Sequence, residues 1–527
     1  MRVLLINPHY PISETPAPPL GLAFLAGFLL KSKIEVHILD FAVIPWNNET
    51  LEKEIKAFKP DIVGSTAVTM NFDAAVRILR TSKQIDPDIV TVCGGPHASF
   101  EATEALTHHH HLDVIVIGEG EQTLLDLVRC VEKKKSFEPV AGIAYREGNR
   151  VHRTIARPPV DINSLPLPAR HLLPLGRYKA LGLPLTLTTS RGCPYKCSFC
   201  IGRKMGGPAV RYREPKRVVD ELEQIASLGF NQVNIADDLF TANHRHCRDI
   251  CDEILRRGLS IKWTAFARVD TVSEEVLLKM KAAGCKAVSF GVESANPGIL
   301  KTIRKGISPR QVVEAVNLCL DTEITPYASF ILGLPGETSE TLQQTVQFAR
   351  DLQSMGVAYG YHLLAPFPGT EIRETLEDYH MRLLTDDWSQ YHANRAIVDT
   401  PGADKEMLDD IVINWEREFH AYLDDIGKKR ELGTATEEET GQIEGLERVT
   451  VVYDLMMSGA IERRGRWTEK GERTNPDHFT ELIKRLKHEV VHSEKELSKA
   501  LQYCVEKGYL RLGRQEKRIE WRWVDYI

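Results

Sequence analysis

Three of the chain's ten cysteines fall within eight positions, as Cys193, Cys197 and Cys200 in the stretch SRGCPYKCSFC (190–200). That is one ligand short of a structural zinc site, and no second cysteine pair follows at a usable distance. Cys247 and Cys251 lie four apart on an expected helix, and Cys285 and Cys319 stand alone. CxxxCxxC suits a [4Fe-4S] cubane instead, because three thiolates then leave one iron open to a small molecule. Other expected strand ends carry groups fit for a ligand. GVES (291–294) offers the Glu293 carboxylate and the Ser294 hydroxyl, ILGLPGET (331–338) offers close backbone approach at Gly333, and ADDLF (236–240) holds Asp237 and Asp238. Arg268, in WTAFARVD, has the fork that matches a carboxylate.

Such residues need a scaffold that gathers strand ends, and the hydrophobic pattern supplies two. Residues 1–135 alternate short apolar runs with helical patterns: strands at 2–8, 35–40, 61–68, 89–95 and 113–121, and helices near 19–32, 49–58, 71–85 and 121–134. This is an α/β, doubly wound, Rossmann-like domain whose ligand belongs at the carboxyl ends of its strands. Its small hydroxyls Ser65, Thr66 and Thr69 and its glycine turns GGPH (94–97) and GEGE (118–121) sit at those ends. A proline-rich connector with one hairpin spans 136–183. Six further βα units over 184–375, with strands at 184–190, 232–237, 261–267, 287–293, 326–335 and 360–368, predict a partial (β/α)6 TIM-type barrel. A helical extension and charged linker follow at 376–446, then a small α+β, winged-helix-like module at 447–527.

Composition narrows the setting. With 43% hydrophobic and 27% charged residues the chain reads as globular, and its length suggests about three domains. No apolar run reaches the roughly 18 residues of a membrane helix, and PPLGLAFLAGFLLKSK reads as a buried helix rather than a signal peptide. A cytoplasmic location, with reduced thiols, is expected. The net charge of −6 points to no nucleic-acid partner, and residues 481–527 carry 11 Lys or Arg against 8 Asp or Glu, a thin excess for a phosphate-binding surface. The HHHH run at 108–111 is expected in an exposed loop.

CxxxCxφC after a first barrel strand, with Phe199 at φ, resembles the radical S-adenosylmethionine (SAM) superfamily. The resemblance implies that the open iron chelates the amino and carboxylate groups of SAM and that the cluster cleaves it to a 5′-deoxyadenosyl radical. It further implies that Phe199 marks the adenine side, Glu293 and Ser294 meet the ribose, Gly333 packs near adenine, Arg268 pairs with the methionine carboxylate, and the segment at Asp237 meets the amine. ADDLF departs from the GGE motif of many relatives, which leaves the parts of Asp237 and Asp238 open.

The front domain reads as a nucleotide binder, a phosphoacceptor receiver or a cobalamin site. GxGxxG is absent after the first strand, and so are the receiver's acidic strand ends. The domain order resembles the cobalamin-dependent radical SAM enzymes, a group of methylases and anaerobic Mg-protoporphyrin monomethyl ester cyclases. That implies cobalamin held by Ser65, Thr66, Thr69, Gly94, Gly95, Gly118, Glu119 and Gly120. DxHxxG is absent, so no imidazole beneath cobalt is expected from His97. The implied function is methylation of an unactivated carbon of a small-molecule substrate, with an electron donor such as flavodoxin or ferredoxin. The alternatives are a non-methylating oxidative cyclase and, in another class, a corrin- or redox-responsive DNA-binding regulator. A methylthiotransferase fits less well, since residues 1–190 contain only Cys93 and Cys130.

Overall fold

The computed structural model describes residues 1–10, 16–469 and 477–527. The front sheet is built from β1 (Arg2–Asn7), β2 (Glu35–Asp40), β3 (Ile62–Thr66), β4 (Val90–Gly94), β5 (Val114–Val116), β6 (Ile143–Glu147) and β7 (Arg150–Arg153). Its order is β2-β1-β3-β4-β5-β6-β7, with β1 to β5 parallel and the last two antiparallel. The hairpin expected in the connector therefore completes this sheet, because β6 satisfies the edge that β5 would otherwise expose. Strand β1 alternates faces: Val3 and Leu5 join the core that runs on into the barrel, while Leu4 and Ile6 pack on the opposite helices. The apolar run becomes helix Leu20–Lys31, sandwiched between the sheet and the connector. The strand order reverses direction between β1 and β3, which opens a crevice at their carboxyl ends.

The second sheet has six parallel strands in sequential order: Leu185–Leu187, Gln232–Ile235, Lys262–Ala267, Cys285–Glu293, Thr325–Leu332 and Ala358–Leu363. Among the described residues the first and sixth strands do not pair, so the barrel is open. Every second residue is buried beneath the surrounding helices, as at Val233, Ile235, Ala265 and Phe290. The alternate set, Thr186, Asn234, Thr264, Ser289 and Ser329, is less buried and faces the bore, where Thr264 donates to Asn234 Oδ1 at 2.9 Å. Phe266 belongs to this set and is 52% exposed, which marks a wide bore.

The expected charged linker is helical. Lys405–Glu431 and Glu437–Ser458 are long helices, the first capped by Asp404 and the second opened by a Thr436–Glu439 capping box. Ion pairs from Lys429 to Glu439 (3.1 Å) and from Arg430 to Glu447 (3.0 Å) consume the charges that suggested a linker. The C-terminal module follows as helices His478–Leu486 and Glu494–Glu506 and a three-stranded sheet of Arg466–Thr468, Arg518–Trp523 and Leu510–Gln515. Among the described residues no helix is long and apolar enough to cross a membrane.

One buried cluster of charges ties the connector to the barrel. Glu221, fully enclosed, pairs with Arg170 at 2.8 Å and Arg213 at 2.7 Å, and Arg213 donates to the Thr188 carbonyl at 2.6 Å beside the first barrel strand. Glu221→Leu strands two buried guanidiniums and is expected to cost about 3 to 5 kcal/mol, read as a lowered denaturation midpoint.

Candidate functional site

Ser190 and Arg191 leave the first barrel strand and pair antiparallel with Tyr212 and Arg211. Gly192 then turns the chain with φ +106, and a Cβ there would lie 2.6 Å from the Ala209 carbonyl oxygen, so the turn requires glycine. The cysteine loop is tied at several points: Cys193 N–H donates to the Gly207 carbonyl at 3.1 Å and Ser198 N–H to the Ile303 carbonyl at 3.1 Å, while the Ser198 carbonyl accepts from Ile372 N–H at 3.1 Å. Cys193 and Cys197 are half-buried and Cys200 is exposed, all as free thiols. Gly202 N–H points at Cys200 Sγ from 3.3 Å. Burial raises the pKa of all three; Lys305 and Arg268 pull Cys193 and Cys197 back down. Among the described residues no three His, Cys, Asp or Glu converge as ligands of a single ion. Three thiols spread over one loop suit a polynuclear cluster better than zinc.

The structure redistributes the expected roles around this loop. Lys305, which the sequence reading missed, sends Nζ to Glu293 Oε1 at 2.6 Å and lies 5.8 Å from the centre of the Phe199 ring. Glu293 itself is buried at a bulge with φ +68, a strained conformation held by the surrounding fold. Phe199, Glu293 and Lys305 are thus gathered beside the thiols. The run KTIRKG holds three basic residues, and only the fold shows which one turns inward.

The structure shows what surrounds four other residues expected near SAM. Asp237 is buried and accepts from Thr189 N–H and Oγ1, both at 2.5 Å, and from Ser190 Oγ at 2.7 Å, so it holds the strand end; its neighbour Asp238 is the one exposed toward the cavity. Arg268 is bidentate to Asp270 at 2.9 and 3.0 Å, donates to the Lys305 carbonyl at 2.8 Å and stacks 3.7 Å from the centre of the Tyr195 ring; it buttresses the cysteine loop. Ser294 is fully enclosed and bonded to Thr345 Oγ1 (3.3 Å) and Asn296 N–H (3.1 Å), which leaves no hydroxyl for a ribose. The side of Gly333 where a side chain would stand faces Leu408, and its N–H donates to Glu337 Oε2 at 2.7 Å.

The front domain and the segments flanking the cysteine loop share one cavity of about 390 Å³, within the range of small-molecule sites. Ser65, Thr66, Gly94, Gly95, Gly118, Glu119 and Gly120 line one wall, and Ser190 to Gly192, Met205 and Asp238 line the other. Among the described lining residues there is no histidine. Two of the residues expected to meet the corrin have other partners. Thr69 does not line the cavity but bonds to His97 Nδ1 at 3.3 Å. Glu119 spends its carboxylate on Arg211 (2.5 and 3.0 Å), Arg191 (3.2 Å) and Val160 N–H (2.9 Å). Glu121 takes the second arm of Arg191 at 2.7 Å.

His97 is buried between Phe72 and Trp388, and burial pushes its pKa down to about 4, so it stays neutral. The histidine run begins at the last residue of helix Ala102–His108 and continues into the turn beyond it, with His108 and His110 exposed as expected; His108 pairs with Glu104, while His109 packs on Phe72 and burial pushes His111 down to about 4.

The comparisons match this layout. The family model of the B12 binding domain covers residues 13–128 and that of the Radical SAM superfamily covers 187–349. An uncharacterized methyltransferase of Pyrococcus horikoshii is 36% identical over 400 residues, 74% of this chain and 86% of that protein. The chain belongs to the cobalamin-binding radical SAM enzymes. The anaerobic magnesium-protoporphyrin IX monomethyl ester cyclase of Rubrivivax gelatinosus is 33% identical over 80% of this chain and 77% of its own. The solved structure of the cobalamin-dependent SAM radical enzyme OxsB, with aqua-cobalamin and SAM bound, shares the fold at TM-score 0.70 and 19% identity over 98% of this chain and 82% of its own.

The cofactors of a cobalamin-binding radical SAM enzyme are a [4Fe-4S] cluster, SAM and cobalamin, and the residues present fit them. Three free thiols await the cluster, the Lys305–Glu293 pair offers both charges to a zwitterion, and the hydroxyl- and glycine-lined cavity meets a corrin tail without an imidazole.

In the turn after the fifth barrel strand Glu337 is buried with Oε1 unpartnered, and burial pushes its carboxyl up to about 7 despite N–H bonds from Gly333 and Leu334. The folded chain therefore holds this proton more tightly than the unfolded one, whose ordinary value is 4.5. Its contribution to stability is full below pH 4.5 and is lost as pH rises to about 7, by about 3 kcal/mol. Glu337→Gln is expected to flatten that decline, compared by urea midpoints on either side of the window.

Proposed function

We propose that the chain methylates an unactivated carbon of a small-molecule substrate held in the barrel bore. The observation that carries the reading is the shared cavity, in which the front-domain wall faces the segments on either side of the cysteine loop, Ser190 to Gly192 and Gly202, Met205 and Gly206. When bound, the cluster and SAM supply a hydrogen-abstracting 5′-deoxyadenosyl radical and the corrin supplies the methyl group.

The chain's own part is to bind, orient and exclude water. Cys193, Cys197 and Cys200 would hold the cluster, Phe199 would lie against adenine, and Glu293 with Lys305 would meet the polar ends of SAM. Ser65, Thr66, Gly94, Gly95, Gly118 and Gly120 would receive the corrin tail. Asp237 and Arg268 act behind them as positioning residues. The bore offers hydroxyls, an amide and the exposed face of Phe266, which suits a substrate with both hydrogen-bonding and apolar parts. A reduced flavodoxin or ferredoxin in a reducing cytoplasm would supply the electron.

The likeness to the cyclase keeps a second reading, oxidation of a tetrapyrrole without methyl transfer. Anaerobic reconstitution with iron, sulfide and cobalamin, then incubation of reductant and extracted metabolites with methyl-labelled SAM, separates the two. A labelled product beside 5′-deoxyadenosine is expected. An oxidised, unlabelled product favours the cyclase, and a chain that retains one zinc and forms no deoxyadenosine refutes both. Cys197→Ala should lose iron and cleavage together. Lys305→Met should keep its iron while the KM for SAM rises about tenfold or more.

A further inference from the structure

Beyond the shared cavity, one junction joins parts of the chain far apart in sequence. Arg177, in the connector helix Leu175–Ala180, is 5% exposed, and each arm of its guanidinium goes to a different partner. Nε donates to Asp525 at 2.6 Å, Nη2 to Glu462 at 2.8 Å, and Nη1 to the Val43 carbonyl at 3.1 Å. Asp525 and Glu462 belong to the C-terminal module and Val43 to the front domain. Next to it, Tyr178 donates its hydroxyl to Asp40 Oδ2 at 2.7 Å, and the other oxygen of Asp40 accepts from Asn7 Nδ2 at 2.8 Å. Asn7 closes β1, whose Leu5 lines the cavity. The module is pinned again where Gly176 N–H donates to the Asp525 carbonyl at 2.9 Å.

The module has the element order of a winged helix, in which the third helix would read nucleic acid. Here that helix is Glu494–Glu506, with Glu494, Glu496 and Glu506 against Lys495 and Lys499. Lys499 is held by Glu444 at 2.9 Å and Glu447 at 3.4 Å from the preceding long helix. A face without excess positive charge, and with one of its lysines already paired, does not suit a phosphate backbone.

We propose that the C-terminal module braces the corrin-binding wall, with Arg177 as its positioning residue, and that it reads no nucleic acid. The brace acts through Tyr178, Asp40 and Asn7 on the carboxyl end of β1, whose Leu5 lines the cavity, so its loss loosens the corrin site and leaves the cysteine loop intact. This rests on the cobalamin reading above.

The test uses the full chain, anaerobically reconstituted, with hydroxocobalamin titrated by its visible absorption. Arg177→Met leaves Glu462 and Asp525, at side-chain exposures of 40% and 35%, free to rehydrate. Its Kd for hydroxocobalamin should rise about tenfold, while iron per chain and the Kd for SAM match wild type. Should that variant fail to fold, Tyr178→Phe, which removes a single hydroxyl, should raise the Kd severalfold. A folded variant that binds hydroxocobalamin as tightly as wild type overturns the brace, and so does salt-sensitive binding of duplex DNA by the wild-type chain. A wild-type chain that binds no cobalamin overturns the functional reading itself, and that result is seen before any variant is made.

Discussion

The carboxylates of Glu119 and Glu121 gripping Arg191 and Arg211 set the frame for everything else in the molecule. These groups are largely withdrawn from water, where charge-assisted, forked hydrogen bonds hold direction as well as distance. Arg191 stands two residues before the first cluster cysteine, while Glu119 sits in the turn after β5 and Glu121 opens the helix that follows. The cavity wall and the cysteine loop are therefore fastened to each other by the residues that border them. Removing one partner would strand the others in a poorly hydrated crevice, which makes the arrangement an all-or-none clamp.

The same low polarity that strengthens this clamp works against the thiols, which must ionise to bind iron. Burial pushes Cys93, Cys319 and Cys504 up to about 12, and these cysteines behave as small apolar side chains. Cys193 and Cys197 are raised by burial too, but they alone feel both Lys305 and Arg268. Those cations are in turn held by Glu293 and Asp270, so the loop has positive charge nearby without an unpaired buried ion.

Much of this was legible in the sequence because the strands of both sheets are short apolar runs ended by turn residues. β2 agrees with its expected bounds, and the cysteine spacing points to its chemistry before any coordinate is seen. What could not be read was direction at the end of a strand. Asp237 and Asp238 are adjacent, yet one turns inward to Thr189 and Ser190 while the other faces the cavity. Ser294 and Glu293 divide in the same way, because a bulge changes which residue points where. Lys305 went unread because it is one of three basic residues in KTIRKG and its partner Glu293 lies on another element. The charged stretch 424–446 was misread for a related reason: Lys429 and Arg430 meet their counter-charges only after the chain folds back on itself.

The grip on Arg177 has a consequence for the order of assembly. Its carboxylate partners lie 285 and 348 residues further along the chain. At about 5 to 20 residues per second, a ribosome delivers the more distant one roughly 20 to 70 s after the arginine. Late in that interval, once Leu363 has been made, the front sheet and the barrel have their own strands complete, yet a buried guanidinium still waits for its counter-charge. The nascent enzyme thus passes through a stage with both halves folded and the junction behind them open, and its final closure is timed by translation.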